Sequence, residues 1–327
     1  MAYLRQKFGR NNLSESAKEL LLASWRSKTS QAYDSHFRKW LGWCTEWGCD
    51  PISGPISDVA NFLADLHSQG YQTSSLNAYR SAISSVHDRV DDVDVGKHPL
   101  ISRLLKGAFH VRPPLPRYSS TWDVQVVLNC IQQWGNTTSL SLKLLTFKLV
   151  MLMCLARPSR SAELASLCVD KCYFKPEGVM FSPSGLAKQA RQGKPLLDYF
   201  FASFPDDKQL CPVETLRHYL QVTNKLRETS SHLFVAIVKP HHPVAPCTIA
   251  RWLKEVLKMS GIDTSIFTAH STRGASSSAA ADSGITINDI LKAADWSTES
   301  VFRKFYYRPT HDPLYGRAVL SSLRSDI

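Results

Sequence analysis

Apolar residues recur at helical spacing through the first third of the chain. Leu20, Leu21, Leu22 and Trp25 follow Ser16-Ala17-Lys18-Glu19, which has the form of a capping box, so a helix is expected to start there. Tyr33, Phe37, Trp40, Leu41 and Cys44 fall on one stripe of a second helix beginning at Thr29 or Ser30. Val59, Phe62, Leu63 and Leu66 mark a third, closed by Gly70; Leu76, Tyr79, Ile83 and Val86 mark a fourth after Ser74 and Ser75; residues 100–109 supply a fifth. Five short amphipathic helices with brief connections predict a helical bundle over 14–110. The polar stretch 1–13, with Arg5, Lys7 and Arg10, reads as a flexible basic arm.

Pro113, Pro114 and Pro116 cannot sustain a helix and favour an extended, stiff chain, which makes 111–121 a linker between two domains. Beyond it the pattern turns mixed. Helices are expected at 124–134 and 140–155, the latter apolar nearly all round and therefore the buried core helix of a domain spanning 122–327. Strands follow at 172–174, 178–181 and 197–201, with GLAKQARQGK (185–194) as a hairpin turn carrying Lys188, Arg191 and Lys194. Helices resume at 213–224 and 248–259. The fold class is mainly α with a small antiparallel sheet, in two domains.

Residues 267–309 concentrate the chemistry. Thr268 is a candidate N-cap for the small-residue run 274–281, which puts His270 and Arg273 on one helical face. Gly284 breaks that run; Ile285, Ile287, Ile290 and Leu291 then lead to Asp295 and Trp296, and Phe302, Phe305 and Tyr306 place the tyrosine on the packed side of a third helix. A positioned tyrosine can be a nucleophile, but with an ordinary pKa near ~10 it needs help at neutral pH. Arginines give that help when the electrophile is a phosphodiester, because a planar guanidinium binds two phosphate oxygens and stays charged.

The order His-x-x-Arg, Trp, Tyr, preceded by Arg160-Ser-Ala-Glu163-Leu164 and a hairpin lysine, resembles the signature of the tyrosine recombinase (phage integrase) family. ARPSRSAEL, Trp in place of a second His, and FRKFYYRP look most like recombinases of DIRS-type or Crypton-type mobile elements of eukaryotes. The resemblance implies a helical core-binding domain followed by an α+β catalytic domain. It implies a site built of Arg160, Lys188, His270, Arg273, Trp296 and Tyr306, with Glu163 in support. Lys194 rivals Lys188, and Tyr307 rivals Tyr306; Arg157 lacks the acidic residue at +3 that Arg160 has. The implied reaction joins a DNA strand to the tyrosine through a 3′-phosphotyrosine, with neither a nucleotide cofactor nor a divalent metal. The implied partners are double-stranded DNA and further copies of the chain, a tetramer on two duplexes held by the tail from about 308, and the implied location is nuclear. Two alternatives stand beside this reading: a type IB topoisomerase-like enzyme, which uses similar residues, and a domesticated, inactive DNA-binding protein, against which the intact set of Arg160, Lys188, His270, Arg273 and Tyr306 speaks.

The net charge of +11 suits a polyanionic partner. Through Pro116, 14 Lys and Arg stand against 11 Asp and Glu, and beyond it 25 stand against 17, so the excess is mainly downstream. Eight scattered cysteines without a signal peptide read as reduced thiols, and Cys168, Cys172, His241, His242 and Cys247 lack the spacing of a zinc knuckle. No apolar run reaches the ~20 residues that span a bilayer.

Overall fold

The chain forms two units, Met1–Pro116 and Arg117–Ile327. The structure, a computed structural model, describes residues 2–9, 13–115, 120–185, 190, 192–193, 197–227 and 230–308.

The first unit holds helices α1 (Ala2–Gly9), α2 (Glu15–Ala23), α3 (Ser27–Trp47), α4 (Ile56–Ser68), α5 (Thr73–Val86) and α6 (Pro99–Val111). Its core is the stripe set read from the sequence: Phe37, Trp40 and Cys44 meet Val59, Phe62, Leu63 and Leu66, then Leu76, Tyr79, Ile83 and Val86, with Ile101 and Leu105 below. Trp40 is fully buried, and its indole N–H donates to Pro51 O at 3.0 Å, so its one polar atom is satisfied. Two details differ from the sequence expectation. Residues 2–9, expected as part of an arm, form α1, because Leu4 and Phe8 stand four apart and pack on the bundle core. Ser14 rather than Ser16 caps α2, accepting from Ala17 N at 3.2 Å, and this leaves Glu15 in the first turn to meet Lys18 Nζ at 2.7 Å.

The second unit is organised around a buried helix. Its helices are α7 (Val124–Gln133), α8 (Leu142–Ala156), α9 (Ser161–Ala165), α10 (Pro212–Thr223), α11 (Pro246–Met259), α12 (Ser271–Asp282), α13 (Ile287–Ala294) and α14 (Glu299–Phe305). Positions 145–154 of α8 are buried without a break, as an all-round apolar helix requires, and α10, α11 and α12 pack about it. Lys148 lies inside this layer with its ammonium on Thr137 Oγ1 at 2.9 Å.

Strands β1 (Cys172–Lys175), β2 (Gly178–Phe181) and β3 (Tyr199–Ala202) form one antiparallel sheet in the order β1-β2-β3, with Cys172 opposite Phe181 and Val179 opposite Phe201. Val179 and Phe181 of β2 and Tyr199 and Phe201 of β3 turn to the core, the period-two pattern of a half-buried sheet. All eight cysteines are free thiols. Among the described residues no helix is long and apolar enough to cross a membrane, and no three His, Cys, Asp or Glu side chains gather as metal ligands.

Candidate active site

The end of α8 delivers the first arginines. Arg157 is its C-cap and Arg160 the N-cap of α9, so the chain reverses between them and both guanidinium groups reach Glu163. Glu163 Oε1 receives Arg160 Nη1 at 2.5 Å, while Oε2 receives Arg160 N at 2.9 Å and Arg157 Nη1 at 3.5 Å. The carboxylate is buried, and the three hydrogen bonds it accepts hold the local backbone and two side chains in place. The two arginines then part. Arg157 is buried over the Tyr199 ring, 4.5 Å from its centroid, whereas Arg160 keeps part of its guanidinium exposed and lines a cavity.

That cavity, about 670 Å³, is where four of the residues singled out in the sequence meet: Arg160, His270, Arg273 and Tyr306. His270 occupies the N-cap position of α12, in place of the expected Thr268, whose carbonyl instead accepts from Ser271 N at 2.9 Å. Arg273 follows in the first turn and is only 1% exposed. Its Nη2 donates to Ala294 O at 3.1 Å, but Nε and Nη1 are buried with no acceptor. Burial, followed by the repulsion of Arg160, pushes its pKa down to about 10, with Tyr306 and Glu163 acting in the opposite direction. It therefore remains a cation at neutral pH, held in place with unused donors, a costly arrangement unless an anion arrives to fill them.

Trp296 is set by the turn that closes α13. Asp295 takes a left-handed conformation, φ 49° and ψ 50°, and Trp296 N then bonds back to Leu291 O at 2.9 Å. The indole stacks against two rings: Tyr306 at 4.2 Å and Phe302 at 5.6 Å between centroids. Its Nε1 is buried without a partner.

Tyr306 differs from its expected setting. It is the C-cap of α14 rather than a member of the helix, and Phe305 just before it is 58% exposed. What holds the Tyr306 ring is the face of Trp296, with the Arg273 guanidinium carbon 5.3 Å and the His270 ring 5.7 Å away. Its hydroxyl has no hydrogen-bond partner among the described residues. Tyr307 turns instead onto Phe302, at 5.4 Å between ring centroids.

Lys188 and its rival Lys194 lie outside the described residues. Gln192 and Gly193 of the same turn line a second cavity of about 730 Å³ together with Asp295 and Trp296. Arg251 and Lys254 were not singled out in the sequence. They are exposed, three apart on α11, and line the first cavity together with the α12 residues His270 and Arg273. The signal was present, because they occupy the polar side of a helix whose other side buries Trp252, Leu253, Val256 and Leu257. Only packing shows that this polar side faces Arg160. The assembled site offers fixed cations and a carboxylate-anchored arginine around an accessible phenol, which suits an anionic electrophile with several oxygens.

No family model and no curated protein matches the chain. Solved structures do. The Tn1549 transposon integrase in complex with transposon right end DNA is 12% identical over 98% of this chain and 98% of its own, with a TM-score of 0.58. A lambda integrase dimer bound to a COC′ core site is 14% identical over 91% and 95%, with a TM-score of 0.56. The XerH recombinase in a post-cleavage complex with palindromic difH is 13% identical over 83% and 72%, with a TM-score of 0.54. At these identities the likeness is one of fold: the mainly helical, two-domain architecture of tyrosine recombinases with its small antiparallel sheet.

Proposed function

We propose that the chain is a DNA strand transferase of the tyrosine recombinase type, with Tyr306 as nucleophile. The observation that carries this reading is Arg273: a buried guanidinium with two unpartnered nitrogens, in a cavity shared with Arg160 and Tyr306.

In the proposed reaction a phosphodiester enters the cavity and takes up the free donors of Arg273 and the exposed edge of Arg160. The Tyr306 oxygen bonds to phosphorus, the bond from phosphorus to the 5′ oxygen breaks, and the strand remains joined to the enzyme through a 3′-phosphotyrosine. The phenol proton passes to His270 or to solvent, and a lysine, Lys188 or Lys194, supplies the proton that the departing 5′ oxygen needs. Charge that develops on the equatorial phosphate oxygens meets donors already oriented, the arrangement that lowers such barriers most. The indole N–H of Trp296 is the third unused buried donor and serves the same oxygens. Because the phosphotyrosine conserves the bond, a 5′ hydroxyl from a second strand reverses the attack without external energy. Arg251 and Lys254, which line the same cavity, hold the neighbouring phosphates of the strand.

The exchange of strands calls for several copies on two duplexes, and a tetramer joined by the tail beyond 308 is part of the proposal, as is a nuclear location. Affiliation with DIRS-type or Crypton-type elements rests on the wording of ARPSRSAEL and FRKFYYRP alone. The test is covalent capture. The full chain and its Tyr306→Phe variant are mixed with nicked duplexes of randomised sequence, with and without chelator, then quenched in detergent. An adduct on DNA 3′ ends, formed in chelator and absent from the variant, is the expected result. An adduct that persists in the variant moves the nucleophile to Tyr307, and tight binding with no adduct favours the inactive DNA-binding protein. Relaxation of supercoiled plasmid by a monomer, without sequence choice, would favour the topoisomerase-like enzyme.

A further inference from the structure

All four serines of α12 have hydrogen-bond partners, and one of them faces the backbone of the nucleophile. Ser271 Oγ donates to Thr268 O at 2.7 Å. Ser276 Oγ donates to Leu155 O at 2.7 Å and ties α12 to the buried α8. Ser277 Oγ folds back onto Arg273 O at 2.7 Å. Ser278 is fully buried, yet its hydroxyl is used by neither its own helix nor the core: Oγ donates to Tyr306 O at 3.2 Å and accepts from Arg308 N at 3.0 Å.

Gly274 stands four residues earlier on the same helical face. A Cβ at that position would lie 3.3 Å from the same Tyr306 carbonyl, so the absent side chain is what lets the segment approach. Gly274 and Ser278 thus form a seat for the peptides on either side of Tyr306. The seat matters because Tyr306 is the C-cap of α14, with φ −125° and ψ −37°: its N–H and that of Tyr307 still donate to Phe302 O at 2.9 Å, but its own carbonyl lies beyond the helical ladder and needs another donor. The Arg308 guanidinium closes the same turn by donating to Tyr307 O at 2.6 Å and Lys304 O at 3.3 Å. One turn away on α12 is Arg273. A single rigid helix therefore carries both the arginine proposed to bind the phosphate and the anchor of the residue proposed to attack it.

We propose that Ser278 is a positioning residue that clasps segment 306–308 onto α12 of its own chain and thereby sets where the Tyr306 side chain stands beside Arg273. This inference rests on the catalytic reading above.

The test uses the full chain on a nicked duplex carrying the captured site and measures the single-turnover rate of adduct formation beside DNA affinity. Ser278→Ala is expected to bind DNA as the wild type does while its adduct rate falls roughly 10²-fold, the effect of an ångström of misplacement at a reacting atom. Ser278→Cys keeps a weak donor and acceptor at the same point and is expected to fall between the two. A wild-type rate in Ser278→Ala, or a rate loss matched by an equal loss of affinity, would overturn the clasp. A second measurement does not depend on the Ser278 variants folding: Tyr306→Phe and Arg160→Ala are mixed on the same duplex. No adduct is expected, since neither subunit holds both groups; an adduct would show delivery of the tyrosine from a neighbouring subunit and overturn the inference. A wild type that forms no adduct at all overturns the catalytic reading itself, an outcome distinct from a normal wild type with an unaffected Ser278→Ala.

Discussion

Tyr306 lies nearly flat on Trp296, with ring centroids 4.2 Å apart and planes 21° apart. The indole has two separable features here: its face holds the phenol, and its N–H is buried without a partner among the described residues, where the proposed reaction would bring a phosphate oxygen. Trp296→Phe keeps an aromatic face and removes the donor. It is expected to fold normally and to lower the adduct rate by roughly 10²-fold, the scale seen when one oriented donor to a developing oxyanion is lost. Trp296→Ala also empties the cluster of Ile290, Ala294 and Phe302, and is expected to cost about 3–5 kcal/mol of stability as well. Single-turnover rates beside thermal melting separate the two features.

Arg273 should reveal itself by a trade between stability and activity. A buried cation with two unused donors costs the folded state energy, and even buried ion pairs are often replaced by apolar groups of similar volume without loss or with a gain of about 1–4 kcal/mol. Arg273→Met is expected to abolish the adduct while its melting temperature stays level or rises. A variant that loses activity only because it unfolds would show the opposite shift on melting.

The depressed pKa of Arg273 sets a pH dependence with a definite sign. Its pKa is pushed down to about 10 in the folded chain, below the ordinary arginine value, so between the two the unfolded chain holds more protons and the contribution of this group to stability rises with pH. Phosphate binding runs the other way, because it needs the charged guanidinium: the affinity gained from Arg273 is present at neutral pH and is lost as pH rises through about 10. The ratio of wild-type to Arg273→Met affinity, followed from pH 8 upward on a short duplex, is expected to be constant at first and to shrink near that value.

Arg251 and Lys254 make no ion pair among the described residues, and they are proposed to meet phosphate rather than bases. Arg251→Ala and Lys254→Ala are expected to weaken binding to all sequences alike and to reduce the slope of log affinity against log salt by about 0.9 each. Titrations at several salt concentrations on a captured site and on an unrelated duplex check both points. A loss confined to one sequence would assign base reading instead.

How much was legible beforehand differs between fold and site. Stripes such as Tyr33, Phe37, Trp40 and Cys44 announce their helix because periodicity is written within a single segment. The alternation at 178–181 announces a strand for the same reason. The end of a helix is less legible: Ser14 and Ser16 are equally good caps on paper, and Thr268 lost the N-cap of α12 to His270, since capping depends on where the preceding chain has to run. The start of the chain forms a helix rather than an arm because Leu4 and Phe8 have a core to pack on, which the basic residues Arg5, Lys7 and Arg10 do not announce.

The same division runs through the site. Arg160, His270, Arg273, Trp296 and Tyr306 stand out in the sequence through the family resemblance that their ordered short patterns carry together, since none of those patterns is specific by itself. Lys188 lies outside the described residues. That Arg157 and Arg160 share one carboxylate, that the polar face of α11 brings Arg251 and Lys254 to the same cavity, and that Ser278 holds the carbonyl of a residue 28 positions away were not readable from any segment. By itself the sequence determined the helices, the small sheet and the chemical types available, since these follow from side chains and their spacing along one strand of backbone. Which donors end up buried without an acceptor, and which tyrosine is turned toward them, only the tertiary structure decided, because both depend on what distant segments bring to the same few ångströms.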